Sequence, residues 1–299
     1  MKPETGILAL EDRMMQKQAT FLPVFWITAP LLLAALAGCS KPSAPGLPNS
    51  IGKPGWNLVF DDEFDGPTLN TSRWMTGFPW GRCSDIAFNT DGANLAFADG
   101  AVRLTARREP IKGFCFDWDE TGAFTPFYKE FEYSTAMLYS AQAFKSGYYE
   151  CRFQAPKGKG FNAAFWLYGE KAEEVDIFEI VAEDNGAAQM TLHWKDNDPL
   201  VNTSQWIKHI LPSGPSFDAG FHTFAVEWTP EKVVWYLDNW EVPQTLFARF
   251  IHGRHIPDVE MNVILTLGVG GMGGDPDTTT LFPAGFLVDY VRVYQRAAA

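Results

Sequence analysis

From Trp56 onward the chain is written in short apolar or alternating runs. They read "WNLVF", "AVRLTAR", "TAMLYS", "GYYECRFQAP", "NAAFWLYG", "EVDIFEIV", "AQMTLHW", "HTFAVEWT", "KVVWYLD", "MNVILTLGV" and "FLVDYVRVYQ". Turn-forming text separates them, including "PKGKG", "EDNG", "TPEK" and "LDNW". Side chains on a strand alternate between two faces, so a two-residue period marks a half-buried strand and a continuous apolar run a buried one. No long stretch has helical periodicity. Many strands with regular turn signals predict an all-β sandwich or barrel. No internal repeat and no later linker divides residues 56–296, which are therefore expected to form one domain of two packed sheets.

"GYYECRFQAP" illustrates the pattern. Tyr149, Cys151, Phe153 and Ala155 share one face, while Tyr148, Glu150, Arg152 and Gln154 share the other. That polar face is expected either to meet solvent or to line a groove, which makes Arg152 a candidate ligand contact. "NAAFWLYG" and "NVILTLGV" are apolar almost throughout and predict central core strands.

The text before Trp56 differs. "FLPVFWITAPLLLAALAGC" is apolar but short and interrupted by proline, too little for a confident membrane span. It ends in "LAGC", Leu36 to Cys39, which resembles the lipobox of bacterial lipoproteins. The resemblance implies an exported chain, residues 1–39 being the signal segment and Cys39 the lipidated new N-terminus. Ser40 after it is compatible with the outer membrane or surface of a Gram-negative cell. The region ahead of the apolar run is long and of mixed charge, so a start at Met14 or Met15 is the expectation. Residues 40–55 are rich in Pro, Gly and Ser and read as a tether.

Composition narrows the partners. A net charge of -12 argues against nucleic acid, which requires Lys/Arg clusters, and leans against polyanionic substrates. Aromatic residues make up 15% of the chain, which suits a thick core or a sugar-binding cleft. Export implies an oxidising compartment. Cys83 and Cys115 lie in loop-like, Gly-flanked text and are the expected disulfide, with Cys83–Cys151 and Cys115–Cys151 left open. Cys151 reads as a buried thiol. No Cys/His spacing suits a metal.

One strand is anomalous. "EEVDIFEI", Glu173 to Ile180, carries four carboxylates among β-favouring residues. Glu174 and Asp176 share a face, but Glu179 is five residues from Glu174 and belongs on the other side. Either Glu179 faces solvent, or one inserted residue, a β-bulge near Ile177 or Phe178, turns it back. With the bulge the two glutamates behave as i and i+4, with Cα atoms about 13 Å apart. Leaning side chains approach the separation of about 5–5.5 Å that a retaining glycosidase needs between nucleophile and acid/base. Carboxyls this close cannot all ionise freely, which raises at least one pKa toward the range of a general acid. Glu173 fits a solvated position.

"EVDIFE" matches the E-x-D-x-x-E signature of glycoside hydrolase family 16. "WNLVFDDEFDG" with "LNTSRW", "SGYYECRFQAPKGKGFNAAFWLYG", "FHTFAVEWTPEKVVWYLDN" and "FLVDYVRVYQ" resemble that family's flanking strands in order. The resemblance implies a β-jelly roll of two curved antiparallel sheets with a substrate cleft on the concave face. It implies an endo-acting, retaining enzyme of β-linked glucans or galactans. Glu174 would be the nucleophile, Glu179 the acid/base, and Asp176 the residue that tunes the pair. The bulged form is that of laminarinase-like and galactanase-like members. "TLHW" resembles a strand that places a histidine near the acid/base, so His193 is a candidate substrate or tuning contact. Trp194 beside it should point elsewhere, and His222 reads as structural.

Two departures bear on the substrate. Ala172 stands where many members carry a cleft Trp, and Thr266 where many laminarinase-like members carry Asn. Cleft aromatics are then expected from loops, with Trp80, Trp118 and Trp206 as candidates. The acids of "DDEFDG" leave a structural Ca²⁺ open, although their spacing matches no known loop. No cofactor is expected. The reading is a monomeric, lipid-anchored endo-β-glycanase acting on β-1,3- or β-1,3/1,4-glucan. The alternatives are an agar-type β-galactanase and a catalytically idle glycan-binding protein.

Overall fold

The computed structural model describes residues 53–118, 124–195, 202–210, 216–238, 240–241, 246–247 and 256–297. The apolar leader, Cys39 and residues 40–52 of the tether lie outside the described residues.

Among the described residues, two sheets account for nearly all of the regular structure. The larger has twelve strands and is built around Gly147–Gln154, which pairs with His222–Trp228 on one side and Ala284–Arg296 on the other. The long hairpin of Ala101–Trp118 and Phe124–Thr135 extends this sheet. The smaller has seven strands. Its order is Asn202–Ile210, Ala187–Lys195, Glu174–Val181, Phe161–Gly169, Met261–Val269, Met137–Phe144 and Trp74–Met75. Neighbouring strands are antiparallel except Ala87–Asn89, which runs parallel to Phe124–Thr135. The described residues form the all-β sandwich that the run pattern predicts, with the two-sheet jelly-roll arrangement that the family resemblance implies.

The core lies between the sheets. Tyr149, Cys151 and Phe153 from the larger sheet are fully buried, as are Phe165, Ile177, Phe178 and Ile180 from the smaller. The Phe153 and Phe178 rings stack across the interface with centroids 4.0 Å apart. Burial of such rings provides most of the stabilisation, on the order of 1.5–3 kcal/mol for each large apolar side chain.

The other face of Gly147–Gln154 is a charged network and not a groove. Arg152 pairs with Asp289 at 2.5 Å and lies over the Phe221 ring. Arg152 is therefore a structural residue of the larger sheet, on the opposite side of the core from the carboxylate strand. Alternation alone cannot say which sheet a strand joins. Glu150 is close to Arg292, which also grips Glu63 through two hydrogen bonds of 2.7 and 2.8 Å.

Those bonds also bear on a structural Ca²⁺ at "DDEFDG". Asp62 accepts from the Phe64 amide and the Trp74 indole, Asp61 pairs with Arg73, and Glu63 with Arg292. These three side chains are held by protein donors.

Cys83 and Cys115 form a disulfide, and Cys151 is a buried free thiol. The bond ties the base of a short loop to the long hairpin.

Candidate active site

Against Phe161–Gly169, Phe178 lies opposite Phe165 and Asp176 opposite Trp166. Ile177 has no partner of its own and is the extra residue of a bulge. The ladder to Ala187–Lys195 shifts at the same place, between Asp176 and Glu179. Ile177 and Phe178 both enter the core, while Glu174, Asp176 and Glu179 fall on the open face.

A bulge interrupts regular backbone pairing, and buried backbone groups need partners. Here the indole of Trp235 donates a 3.1 Å hydrogen bond to the Asp176 carbonyl. Trp235 is fully buried and belongs to Lys232–Leu237 of the opposite sheet. The larger sheet thus fastens the irregular backbone from behind.

Glu174 and Asp176 are hydrogen-bonded to each other, and Glu179 lies near enough to act on both through its charge. Burial pushes Glu174 up to about 9, helped by Asp176 and opposed by His193. Asp176 is raised well above the usual carboxylate range, chiefly by its complete burial and then by Glu179. Glu179 is raised by burial as well, and its charge is favoured by His193 and by a hydrogen bond from Asn162. Glu174 and Asp176 are linked by a hydrogen bond, so the cluster and not any one residue sets the charge.

His193 lies opposite Glu174 in the ladder, with Nε2 3.1 Å from Asp176 Oδ2. It stands beside Glu174 and Asp176 more directly than beside the expected acid/base. Polar atoms of Glu174, Asp176 and His193 lie within 4.8 Å of one another. Such a trio could also attract a cation, but these are the atoms of the carboxyl cluster itself. Trp194 turns into the core. His222 is bound to Asp238 through Nδ1 at 2.9 Å, a structural role. Glu173 is buried and accepts a 3.1 Å hydrogen bond from the Asp258 amide, so it anchors a loop and is not solvated.

Aromatic side chains wall one side of the cluster. Trp166 and Tyr168 lie opposite Asp176 and Glu174. Trp80, on the tight Phe78–Gly81 turn, packs against Tyr168 at 5.1 Å and stacks on Phe78 at 4.9 Å. A cavity of about 460 Å³ is lined by Trp80, Tyr139, Tyr168, Glu170 and Asn262 among others. Ala172 adopts a left-handed φ of 55° in the turn before the strand. Thr266 accepts a 3.3 Å hydrogen bond from the Trp166 indole.

Of the loop aromatics expected in the site, Trp80 is there. Trp118 and Trp206 are strand residues. Trp118 closes Ala101–Trp118 opposite Phe124 in the larger sheet, and Trp206 lies opposite Thr191 in the smaller; their side chains are not described. The remaining aromatic wall comes from "NAAFWLYG". Phe161, Phe165 and Leu167 face the core, but Asn162, Trp166 and Tyr168 alternate with them on the open face. The period of two was present, hidden because Trp and Tyr look apolar in a hydropathy reading.

The family model described as Glycosyl hydrolases family 16 matches residues 84–290. A β-glucanase of Rhodothermus marinus is 29% identical over 88% of this chain and 93% of its own length. A glucan endo-1,3-β-glucosidase A1 of Niallia circulans is 27% identical over 84% of this chain, which spans 39% of that longer protein. The laminarinase catalytic domain of Thermotoga maritima MSB8 superposes with a TM-score of 0.67 at 27% identity, covering 81% of this chain and 99% of its own. The two-sheet fold and this match over more than half of the sequence lead to one conclusion: the chain belongs to glycosyl hydrolases family 16, enzymes that hydrolyse O-glycosyl bonds.

Proposed function

We propose that this hydrolase is an endo-acting, retaining β-glucanase for β-1,3- or mixed β-1,3/1,4-glucan. The observation that carries the reading is the bulge at Ile177, which aligns Glu174, Asp176 and Glu179 on one face beside Trp166, Tyr168 and Trp80. The glucanase relatives support the substrate class.

In this mechanism Glu174 attacks the anomeric carbon while Glu179 protonates the departing glycosidic oxygen. The glycosyl–enzyme ester then reacts with water, whose proton returns to Glu179, and Glu174 is released as carboxylate. The proton shared by Glu174 and Asp176 can rest on either residue. Positive charge growing at the anomeric carbon favours the arrangement with charge on Glu174 and the proton on Asp176. His193 helps hold that negative charge. A cluster that retains protons near neutral pH also keeps Glu179 available as an acid.

The test is reducing-end release by residues 55–299 from laminarin, lichenan, agarose and carrageenan, with Glu174→Gln and Glu179→Gln as controls. Release from laminarin or lichenan that both variants lose supports the assignment. Release from agarose alone would move the substrate to galactans. Azide rescue separates the roles, since the anion attacks from the face opposite the leaving group in a Glu174→Ala enzyme and returns the β-anomer in a Glu179→Ala enzyme.

By the same reading Cys39 carries a lipid that anchors a monomeric enzyme at the cell surface. Cys39→Ala should release the protein from the membrane fraction. Persistence there would remove the anchor.

A further inference from the structure

We infer that the long hairpin carries a second sugar-binding site, which takes the same β-glucan chain where it leaves the cleft. This inference rests on the proposed glucanase function.

A chain that crosses the strands of the smaller sheet from Glu174–Val181 passes over Phe161–Gly169, Met261–Val269 and Met137–Phe144. It leaves over the edge strand Trp74–Met75. Four interstrand steps amount to roughly 19 Å, more than one sugar ring spans. At that edge lies a groove of about 870 Å³, lined by Met75, Phe78, Arg82, Phe114, Phe116 and Tyr128 among others. Phe114 is 61% exposed and Tyr128 59%. Their rings meet edge to face at 5.0 Å on opposite strands of the hairpin.

Phe78 joins the two places. It lines the groove, stacks on Trp80, and meets Trp166 at 6.0 Å, and Trp166 lies opposite Asp176. An aromatic path therefore runs from the carboxyl cluster to the hairpin.

The hairpin is held in place before any ligand arrives. The Cys83–Cys115 disulfide ties it to the loop. The Phe116 ring presses on Gly81, where a Cβ would be 2.8 Å from it at a φ of +123°. Gly113 leaves room for the Phe88 ring. A fixed platform binds with less entropic loss than one that must order first. The charges nearby are paired with each other, Arg82 with Asp91 and Lys112 with Glu130. A neutral rim with exposed ring faces suits an uncharged polysaccharide better than an anionic one or a charged peptide.

The test uses Phe114→Ala/Tyr128→Ala, two exposed positions, with circular dichroism to verify folding. In a Glu174→Gln background, native electrophoresis through laminarin should retard the parent more strongly than the double variant, which keeps only the cleft. In the active enzyme, the ratio of kcat/KM on laminarin to that on laminaritetraose should fall about tenfold, the loss concentrated in KM. Equal retardation with an unchanged ratio overturns the second site. So does a concentration-dependent dimer by gel filtration that the substitutions abolish while retardation persists, since a second copy would then own the surface. If the parent cuts neither laminarin nor lichenan, the glucanase reading fails and takes this site with it; failure of the site alone leaves hydrolysis intact.

Discussion

His193 brings its Nε2 to 3.1 Å from Oδ2 of Asp176, the most deeply buried of the three carboxyls. The pair comes from two strands, and His193 lies opposite Glu174 in their ladder. Its charge lowers the proton affinity of both Glu174 and Glu179. In His193→Ala both carboxyls should hold their protons to higher pH. The acid limb of kcat/KM against pH, which reports ionisation of the nucleophile, should move to higher pH, and activity near neutrality should fall. A profile of wild-type shape would show that His193 only contacts substrate.

Trp235 has a different task, behind the site. Trp235→Phe keeps most of the buried ring but leaves the Asp176 carbonyl without its donor. An unsatisfied buried acceptor costs about 1–3 kcal/mol. Urea denaturation should register that loss. Because the orphaned carbonyl belongs to the bulge, kcat should also fall, whereas a core substitution of similar volume elsewhere should affect stability alone. A stable but fully active Trp235→Phe enzyme would mean that the bulge holds its shape without help.

Burial of Glu174 makes stability depend on pH. Its folded pKa is raised from 4.5 to about 9, so the folded state binds the proton more tightly than the unfolded chain. That contribution is complete below about pH 4.5 and is lost as pH rises toward 9. Glu174→Gln carries no such proton. Its Tm should exceed that of the wild type at about pH 8, and the difference should shrink toward pH 4. Calorimetry across this range would expose the opposite sign if Glu174 were ionised in the resting fold.

The Cys83–Cys115 bond closes a loop with a sequence separation of 32. Loop-closure entropy for that length is about 3–4 kcal/mol. Cys83→Ser/Cys115→Ser should lower stability by that order in chemical denaturation. It should also weaken laminarin binding, because the bond holds the loop that carries Trp80. Unaltered affinity would separate the disulfide from the site.

Much of this was legible in the chain itself. Strand positions followed from period two, because burial of one face imposes alternation at the residue level. The bulge was legible as one of two readings, since Glu174 and Glu179 cannot share a face at a spacing of five without an extra residue; the strand pairing decided between that and a solvent-facing Glu179. Trp166 and Tyr168 were written in the same alternation and were missed only because hydropathy does not distinguish an aromatic wall from a core. Other features have no local signature. Nothing in "GYYECRFQAP" says that Arg152 meets Asp289, and nothing near Asp176 announces Trp235, because both depend on which strands become neighbours. Glu173 looked solvated until a loop amide some eighty residues away was folded onto it. Sequence determined the periods, the face of each side chain and the place where the period breaks. Tertiary structure decided sheet membership, hydrogen-bond partners across the core and the proton affinity of the carboxyls, since those arise from burial and contacts between segments far apart in the chain.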